Sequence, residues 1–307
     1  MAQDRHGLIL GVDIGSSKIA VSSWRAGSRE RSERFQTLKT GPADNLDRVV
    51  ELARELAGDE SIERVGVSGG GPVDPERGLL LDVPNAQGWQ NVPVVDHLTR
   101  ALDAPAAIEN DANACALAEW QFGAGKGASN VVFMTFSSGL GAGLILDGRL
   151  YRGHRLLAGE VGHQIIHPGG APCGCGQRGC LEAYASGFGI ARELKERRER
   201  EPTLPADARE LVERAKAGDE SCCSFLREIA IPLAHGISNV AYVLNPERVI
   251  LGTIAVAAGD LLLDAVRSEL ERWLWPSLRE GLEILPAKLG AELGDTSAYA
   301  VACYTSS

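Results

Sequence analysis

The chain has 307 residues with 31 basic and 41 acidic side chains, a formal net charge of −10, and its length suits two domains of about 150 residues each. Its basic residues do not gather into one long run, so the electrostatic footprint of a nucleic-acid partner is missing and DNA binding is not expected. Met1 to His6 is polar and the apolar stretch after it is short, so no signal peptide or membrane anchor is expected, and seven cysteines without an export signal point to a reducing compartment, the cytoplasm.

In chain order, Leu8 to Val12 reads as a short buried strand and Ile19 to Trp24 as a second, joined by the small-residue turn Asp13-Ile14-Gly15-Ser16-Ser17-Lys18. From Asn45 to Ala57 the apolar residues Leu46, Val49, Val50, Ala53 and Leu56 recur at three- and four-residue intervals, which predicts an amphipathic helix. Arg64 to Val67 is extended and runs into glycines. Val94 to Leu102 is helical, Ala106 to Ile108 extended, and Asp111 to Trp120 helical again with Asn110 suited to cap it. Val131 to Phe136 and Ala142 to Leu146 form a second hairpin around a glycine-rich turn, which echoes the first and suggests two related halves. Helices dominate from Phe188 onward, one of them spanning Glu220 to Leu244 with a bend expected at Pro232, and Arg248 to Leu251 is a last short strand before Gly252. The alternation is that of an α/β protein. The domain boundary is set at residues 1–118 and 119–307, with a C-terminal helix able to return to the first lobe.

His163, Cys173, Cys175 and Cys180 lie within eighteen residues, among Gly169, Gly170, Gly174, Gly176 and Gly179. Imidazole and thiolate are the donors zinc prefers, and glycines let backbone wrap closely around one ion. Four protein ligands leave no open position for an activated water, so the expected zinc is structural. Coincidental cysteines or a disulfide are the competing reading. Cys115, Cys222, Cys223 and Cys303 lie apart and read mostly as small buried hydrophobes.

The turn from Asp13 to Lys18 carries an acid and small hydroxyl residues where backbone amides can face phosphate oxygens, and Ser137-Ser138-Gly139-Leu140-Gly141 is a second such turn. Each alone is equally a glycine-rich hairpin turn; the pair suits a polyphosphate. Asn110-Asp111 follows a strand and opens a helix, which puts a carboxylate on rigid backbone at the edge where α/β proteins bind ligands. The helix dipole favours its ionised form, able to accept a hydroxyl proton. Simple helix capping would explain the same residues. Glu160 and Glu182 flank the cysteine loop, and carboxylates suit the adjacent hydroxyls of a sugar.

Together these residues resemble the ROK family (repressors, open reading frames and sugar kinases). The resemblance rests on Gly159-Glu160-Val161-Gly162-His163, on Cys173-Gly174-Cys175-Gly176-Gln177-Arg178-Gly179-Cys180-Leu181-Glu182, on Glu109-Asn110-Asp111-Ala112-Asn113-Ala114 and on Gly71-Pro72-Val73-Asp74. It implies a two-lobed actin-like ATPase fold of the hexokinase, ribonuclease H-like type, with Asp111 as catalytic base. It implies sugar contacts from Gly71, Asn110, Asp111, Glu160, His163 and Glu182. It also implies ATP and magnesium at Asp13, Gly15, Ser16, Ser17, Lys18, Ser138, Gly139, Gly141 and Gly252, zinc on His163, Cys173, Cys175 and Cys180, and a homodimer.

Three positions depart from the family pattern. Ser16 follows Gly15 where a glycine pair is usual, the second loop begins Ser137-Ser138 rather than glycine-threonine, and Thr253 follows Gly252 where a second glycine is common. The last adds bulk where backbone approaches the nucleotide, so inorganic polyphosphate stands beside ATP as a possible donor. The function expected is phosphorylation of the 6-hydroxyl of glucose or of a glucose-like amino sugar, of the kanosamine or N-acetylmannosamine type, with small differences near Gly70 and Asn85 choosing between them. A sugar-sensing repressor is the competing class. Only twelve residues precede Asp13, too few for the helix-turn-helix domain of such repressors, and the acidic charge points the same way.

Overall fold

Apolar residues at Leu8, Leu10, Val12 and Ile14 alternate along β1 (Leu8–Ile14) and are buried, which makes this strand the centre of a sheet rather than its rim. In the computed structural model, which describes residues 7–83 and 88–304, β1 continues through the tight turn into β2 (Lys18–Arg25) and then β3 (Ser28–Gln36). There follow α1 (Pro42–Ala57), β4 (Ile62–Gly69), β5 (Val73–Asp74), β6 (Leu79–Asp82), β7 (Gln90–Val92), α2 (Val94–Leu102), β8 (Ala106–Asn110) and α3 (Asp111–Phe122). The main sheet has the order β3-β2-β1-β4-β8, with the β1–β2–β3 pairings antiparallel and β4 and β8 parallel to β1. Strands β5, β6 and β7 form a separate three-stranded sheet. Leu46, Val49 and Ala53 of α1, with Leu98 of α2, pack into the core under Val12, Val67 and Ile108. Asn85 lies outside the described residues.

A second body begins with β9 (Val131–Met134), β10 (Ala142–Leu146) and β11 (Arg149–Tyr151) and continues through two short 3-10 turns, Val161–His163 and Leu181–Ala183. Then come α4 (Gly187–Arg197), α5 (Ala208–Lys216), α6 (Glu220–Leu244), β12 (Arg248–Leu251), α7 (Thr253–Ala258), α8 (Asp260–Trp273), α9 (Pro276–Arg279) and β13 (Glu283–Pro286). Its sheet runs β11-β10-β9-β12-β13, again an antiparallel hairpin flanked by parallel strands, so the two five-stranded sheets share one plan. Helix α6 continues through Pro232. Its buried residues Leu226, Leu233, Ala234 and Ile237 join Val132, Val249 and Leu263 in one core.

The final helix, α10 (Leu293–Cys303), returns to the first body. It sits where Gly11 of β1 and Gly66 of β4 are paired in register. A Cβ at Gly66 would collide with the Ala298 carbonyl, and one at Gly11 would lie 3.2 Å from the Ala298 Cβ and the Tyr299 nitrogen. The two glycines therefore make the flat seat that lets helix backbone touch the sheet. One compact unit thus runs to Gln121 and takes back the chain from Ala291, and the other is Phe122–Gly290. The chain crosses between units after Gln121, not after Ala118, and again after Gly290. No helix among the described residues is long and apolar enough to cross a membrane.

Candidate active site

In the first unit the parallel register sets Asp13, Ser68 and Glu109 level across β1, β4 and β8, and Ile14, Gly69 and Asn110 one step further toward the carboxyl edge. Past that edge the Gly15 amide donates to the Lys18 carbonyl (3.0 Å), the Thr37 hydroxyl donates to the Gly15 carbonyl (2.8 Å), and the Gly70 amide donates to the Ile14 carbonyl (2.9 Å). The first loop is closed by its own backbone and tied to the glycine run. Ser16, Ser17 and Lys18 are exposed upon it.

Asn110 caps α3: its side-chain oxygen accepts from the Ala112 amide at 3.0 Å and from the Asn113 amide at 3.4 Å. Its amide nitrogen donates to the Gly71 carbonyl and to Asp111 Oδ1, both at 3.0 Å. Gly71 has φ +147°, a conformation open chiefly to glycine. Asp111 Oδ1 also accepts from the Ala112 amide at 2.8 Å, so the carboxylate of this exposed residue is fixed at a helix N-terminus. Beneath it, buried Glu109 accepts from the Asn110 amide (3.1 Å) and from the Asn113 side chain (3.0 Å). Burial first, and then the charge of Asp111, raise the Asp13 carboxyl to about 6, against a lowering hydrogen bond from Ser68.

In the second unit the loop after β9 is closed by the Thr135 amide on the Gly141 carbonyl (2.9 Å) and the Gly141 amide on the Thr135 hydroxyl (3.0 Å). Gly187 and Phe188, at the start of α4, donate their amides to the carbonyls of Ser137 and Ser138 (2.7 and 3.0 Å). The Gly252 amide donates to the Met134 carbonyl (2.9 Å), and a Cβ there would collide with the Thr135 carbonyl, so Gly252 is packed against the start of this loop. Glu182 ties loop to loop: Oε2 accepts from the Leu140 amide (3.0 Å) and lies 2.9 Å from where a Cβ on Gly139 would stand.

The donor atoms of His163, Cys173, Cys175 and Cys180 all lie within 4.8 Å of one another. Cys175 and Cys180 sulfurs are 3.7 Å apart, and Cys173 Sγ is 3.6 Å from His163 Nδ1. A tetrahedral zinc, with bonds of about 2.3 Å to sulfur and about 2.0–2.1 Å to nitrogen, holds its ligands roughly 3.5–3.8 Å apart, so the donor set fits such an ion. Burial and the neighbouring sulfurs push the Cys180 thiol up to about 12; three thiolates this close repel unless a cation lies among them. The imidazole turns its other nitrogen, Nε2, toward Glu160 Oε2 at 3.8 Å. Tight backbone contacts carry the loop: the Ala142 amide donates to the Gly159 carbonyl (2.8 Å), and the His167 amide to the Gly179 carbonyl (3.1 Å).

The residues singled out in the sequence thus fall into two constellations. Asp13, Gly15 to Lys18, Gly71, Asn110 and Asp111 gather in the first unit, and Ser138, Gly139, Gly141, Glu160, His163, Glu182, Gly252 and the cysteines in the second. Sequence reasoning gave Glu109 no role beyond its place in the family motif and passed over Ser68, Thr37 and Thr135, which shape the loops and the cap. The sequence signal for the last three is their place at the end of a strand or beside a glycine.

The sequence model of the ROK family matches residues 9–303. A glucokinase of Thermotoga maritima is 30% identical, over 93% of this chain and 94% of its own. An N-acetylmannosamine kinase of Haemophilus influenzae is 32% identical over 93% and 92%. A xylose repressor of Bacillus spizizenii is 30% identical, over 74% of this chain and 57% of the repressor. Among solved structures, a ROK family glucokinase of Streptomyces griseus in complex with glucose and AMPPNP superposes with a TM-score of 0.80 at 31% identity, covering 97% of this chain and 99% of that one. The fold expected from the sequence, the actin-like one of ROK kinases, is the fold observed. By the extent of these matches, the chain belongs to the ROK family.

Proposed function

We propose that this chain is a sugar kinase that transfers the γ-phosphoryl group of ATP to the 6-hydroxyl of glucose or a glucose-like amino sugar. The observation that carries the reading is the fixed Asp111 carboxylate at the head of α3, oriented by Asn110 and Gly71, in a chain similar along nearly its whole length to a glucokinase.

Asp111 accepts the proton of the attacking hydroxyl as the phosphoryl group moves, a late event in a loose transition state. Its position, rather than strong basicity, is what the helix cap secures. The loop from Gly15 to Lys18 and that from Ser138 to Gly141 hold phosphate oxygens with amides and hydroxyls, and Gly252, packed against the start of the second loop, stands beside the adenosine. Asp13 would hold magnesium, which supplies charge neutralisation to the transferring group. Protonation near pH 6 makes this acid half-neutral in slightly acid solution, and a divalent cation favours its ionised form.

His163, Cys173, Cys175 and Cys180 would hold a zinc ion that stiffens the loop. If Nδ1, which faces Cys173 Sγ, held the metal, Nε2 would carry the ring proton and would donate to a sugar oxygen. Cys173, whose thiol donates to Glu182 Oε1 at 3.6 Å, would serve a bound zinc as a thiolate, which has no proton to donate. Glu182 Oε1 would in that state accept from a sugar hydroxyl while Oε2 stays on the Leu140 amide.

The test is a panel of hexoses and amino sugars offered with ATP and with inorganic polyphosphate as competing donors. Turnover is read as ADP release and as phosphosugar formed. Phosphorylation of at least one hexose, with ATP preferred, is expected. Sugar binding without turnover from either donor would remove the kinase reading, and salt-dependent, specific binding to an operator would replace it with a regulatory one.

A further inference from the structure

The chain entering the cysteine loop and the chain leaving it run side by side as a short antiparallel ribbon. Ile165 and Cys180 face each other across it, the Leu181 amide donates to the Gln164 carbonyl (3.0 Å), and the Ile166 amide donates to the Gly179 carbonyl (2.9 Å). Continued by one step, that register sets Gln164 against Leu181, and by a second step His163 against Glu182. Cys173 Sγ touches both members of this last pair, at 3.6 Å from His163 Nδ1 and 3.6 Å from Glu182 Oε1. Two of the residues proposed to read the sugar are thus neighbours across the end of the ribbon.

The pair before them is fastened to α6. Gln164 Nε2 donates to the Gly236 carbonyl at 3.3 Å, and Gln164 Oε1 accepts from Asn239 Nδ2 at 2.9 Å. A main-chain carbonyl can only accept, so these two bonds leave one orientation for the Gln164 amide. Leu181, fully buried in the core of this unit, lies over the same turn of the helix. A Cβ at Gly236 would collide with Leu181 Cδ2 and stand 3.2 Å from Gln164 Nε2, so the missing side chain is what lets both residues reach α6. On its other side the end of the ribbon meets the second phosphate loop. A Cβ at Gly162 would collide with the Leu140 carbonyl, and the Leu140 amide donates to Glu182 Oε2 at 3.0 Å. His163 and Glu182 are therefore held between that loop and α6, and Gln164 supplies the polar bonds on the helix side. We infer that Gln164, held by Gly236 and Asn239, is a positioning residue for sugar recognition: it fixes where His163 and Glu182 stand relative to the second phosphate loop. The consequence for a sugar rests on the kinase reading, whereas the fixing of residues 163 and 182 does not.

The test uses the whole chain with its zinc content verified, as Gln164→Met, Asn239→Ala and the two combined. Methionine keeps the length of the side chain and removes both bonds. Amide exchange at residues 160–164 and 180–183 should rise about tenfold in Gln164→Met, the worth of roughly one net hydrogen bond, with that of β1 and α8 as in the wild type. KM for the accepted hexose should rise by about the same factor, while kcat and KM for ATP stay within about twofold. The double variant should be no worse than Gln164→Met alone, because both replacements act through one bond. Unchanged exchange in the two segments, exchange that rises throughout residues 122–290, effects that multiply in the double variant, or a lower kcat at unchanged sugar KM would each overturn the positioning role. A wild-type chain that phosphorylates no sugar would remove the kinase reading instead, and the exchange of the three variants would still decide whether Gln164 fixes residues 163 and 182.

Discussion

Asn110 performs two tasks with one amide: its oxygen caps α3 while its nitrogen bridges the Gly71 carbonyl and Asp111. Replacing Asp111 by Asn keeps the size and the cap, and removes the proton acceptor. The turnover number should fall by about 10²–10⁴-fold with sugar affinity changed little, as checked by ADP release and calorimetry. Asp13 yields a prediction of a different kind. Its carboxyl titrates at about 6 in the folded chain because it is buried beside Asp111, and near 3.9 when unfolded. Between these values the folded chain binds more protons, so this group lowers stability as pH rises and exerts its whole penalty above pH 6. In metal-free solution Asp13→Asn should therefore raise the melting temperature at pH 7.5, by a free energy on the order of 1–3 kcal/mol, and change it little at pH 3.5. A scan of melting temperature against pH for both chains decides it. Asp111 and Asn110 were legible because a strand, a cap and an acid follow in immediate succession. The task of Glu109 was not: its place in the family motif gives it no role until the fold shows Asn113 one helical turn away, donating to it.

At the scale of elements, the strands that sequence patterning found are the buried ones, such as β12, whose Val249, Ile250 and Leu251 form an apolar run. β3 escaped because Ser28–Gln36 is polar but for Phe35 and has no apolar alternation; it pairs as a solvated edge strand, where charge guards against aggregation. The small sheet of β5, β6 and β7 escaped because strands of two to four residues have too little pattern to detect. The contact between α10 and the sheet was equally hidden, since Gly11 and Gly66 are far apart in sequence and ordinary in type. Gly66→Ala should destabilise the chain by about 1–3 kcal/mol, measured by urea unfolding, because its methyl group meets helix backbone that cannot move aside. The cysteine loop, by contrast, announced itself through ligand spacing. Cys180→Ser should loosen residues 163–182, raising their amide exchange and weakening sugar binding, while the exchange of α1 stays as it was. Sugar affinity equal to wild type in verified zinc-free protein would show that the metal does not position His163 and Glu182.

The whole molecule is two bodies on one topological plan, β3-β2-β1-β4-β8 and β11-β10-β9-β12-β13, and the echo of one glycine hairpin in the other made this duplication readable beforehand. The chain's path between them was readable only in part, because which body a terminal helix joins depends on contacts remote in sequence. The crossing at Gly290 makes the second unit one continuous segment and the first a discontinuous one. The two should therefore respond differently to being cut out. Residues 122–290 contain a complete sheet, their own core and all four cysteine-loop ligands, so this segment expressed alone should fold and bind one equivalent of zinc. Residues 1–121 alone lack α10, and with it the cover over Gly11 and Gly66 and the buried Asp295 that Arg29 and Arg34 hold at 2.6 and 3.1 Å. An uncovered sheet face and unpaired arginines leave that fragment short of the burial a small domain needs. It should stay unfolded by circular dichroism and gain structure when residues 291–307 are fused after Gln121 through a flexible linker. A cooperative unfolding transition in residues 1–121 alone would show that α10 is an accessory to this unit and not part of its core.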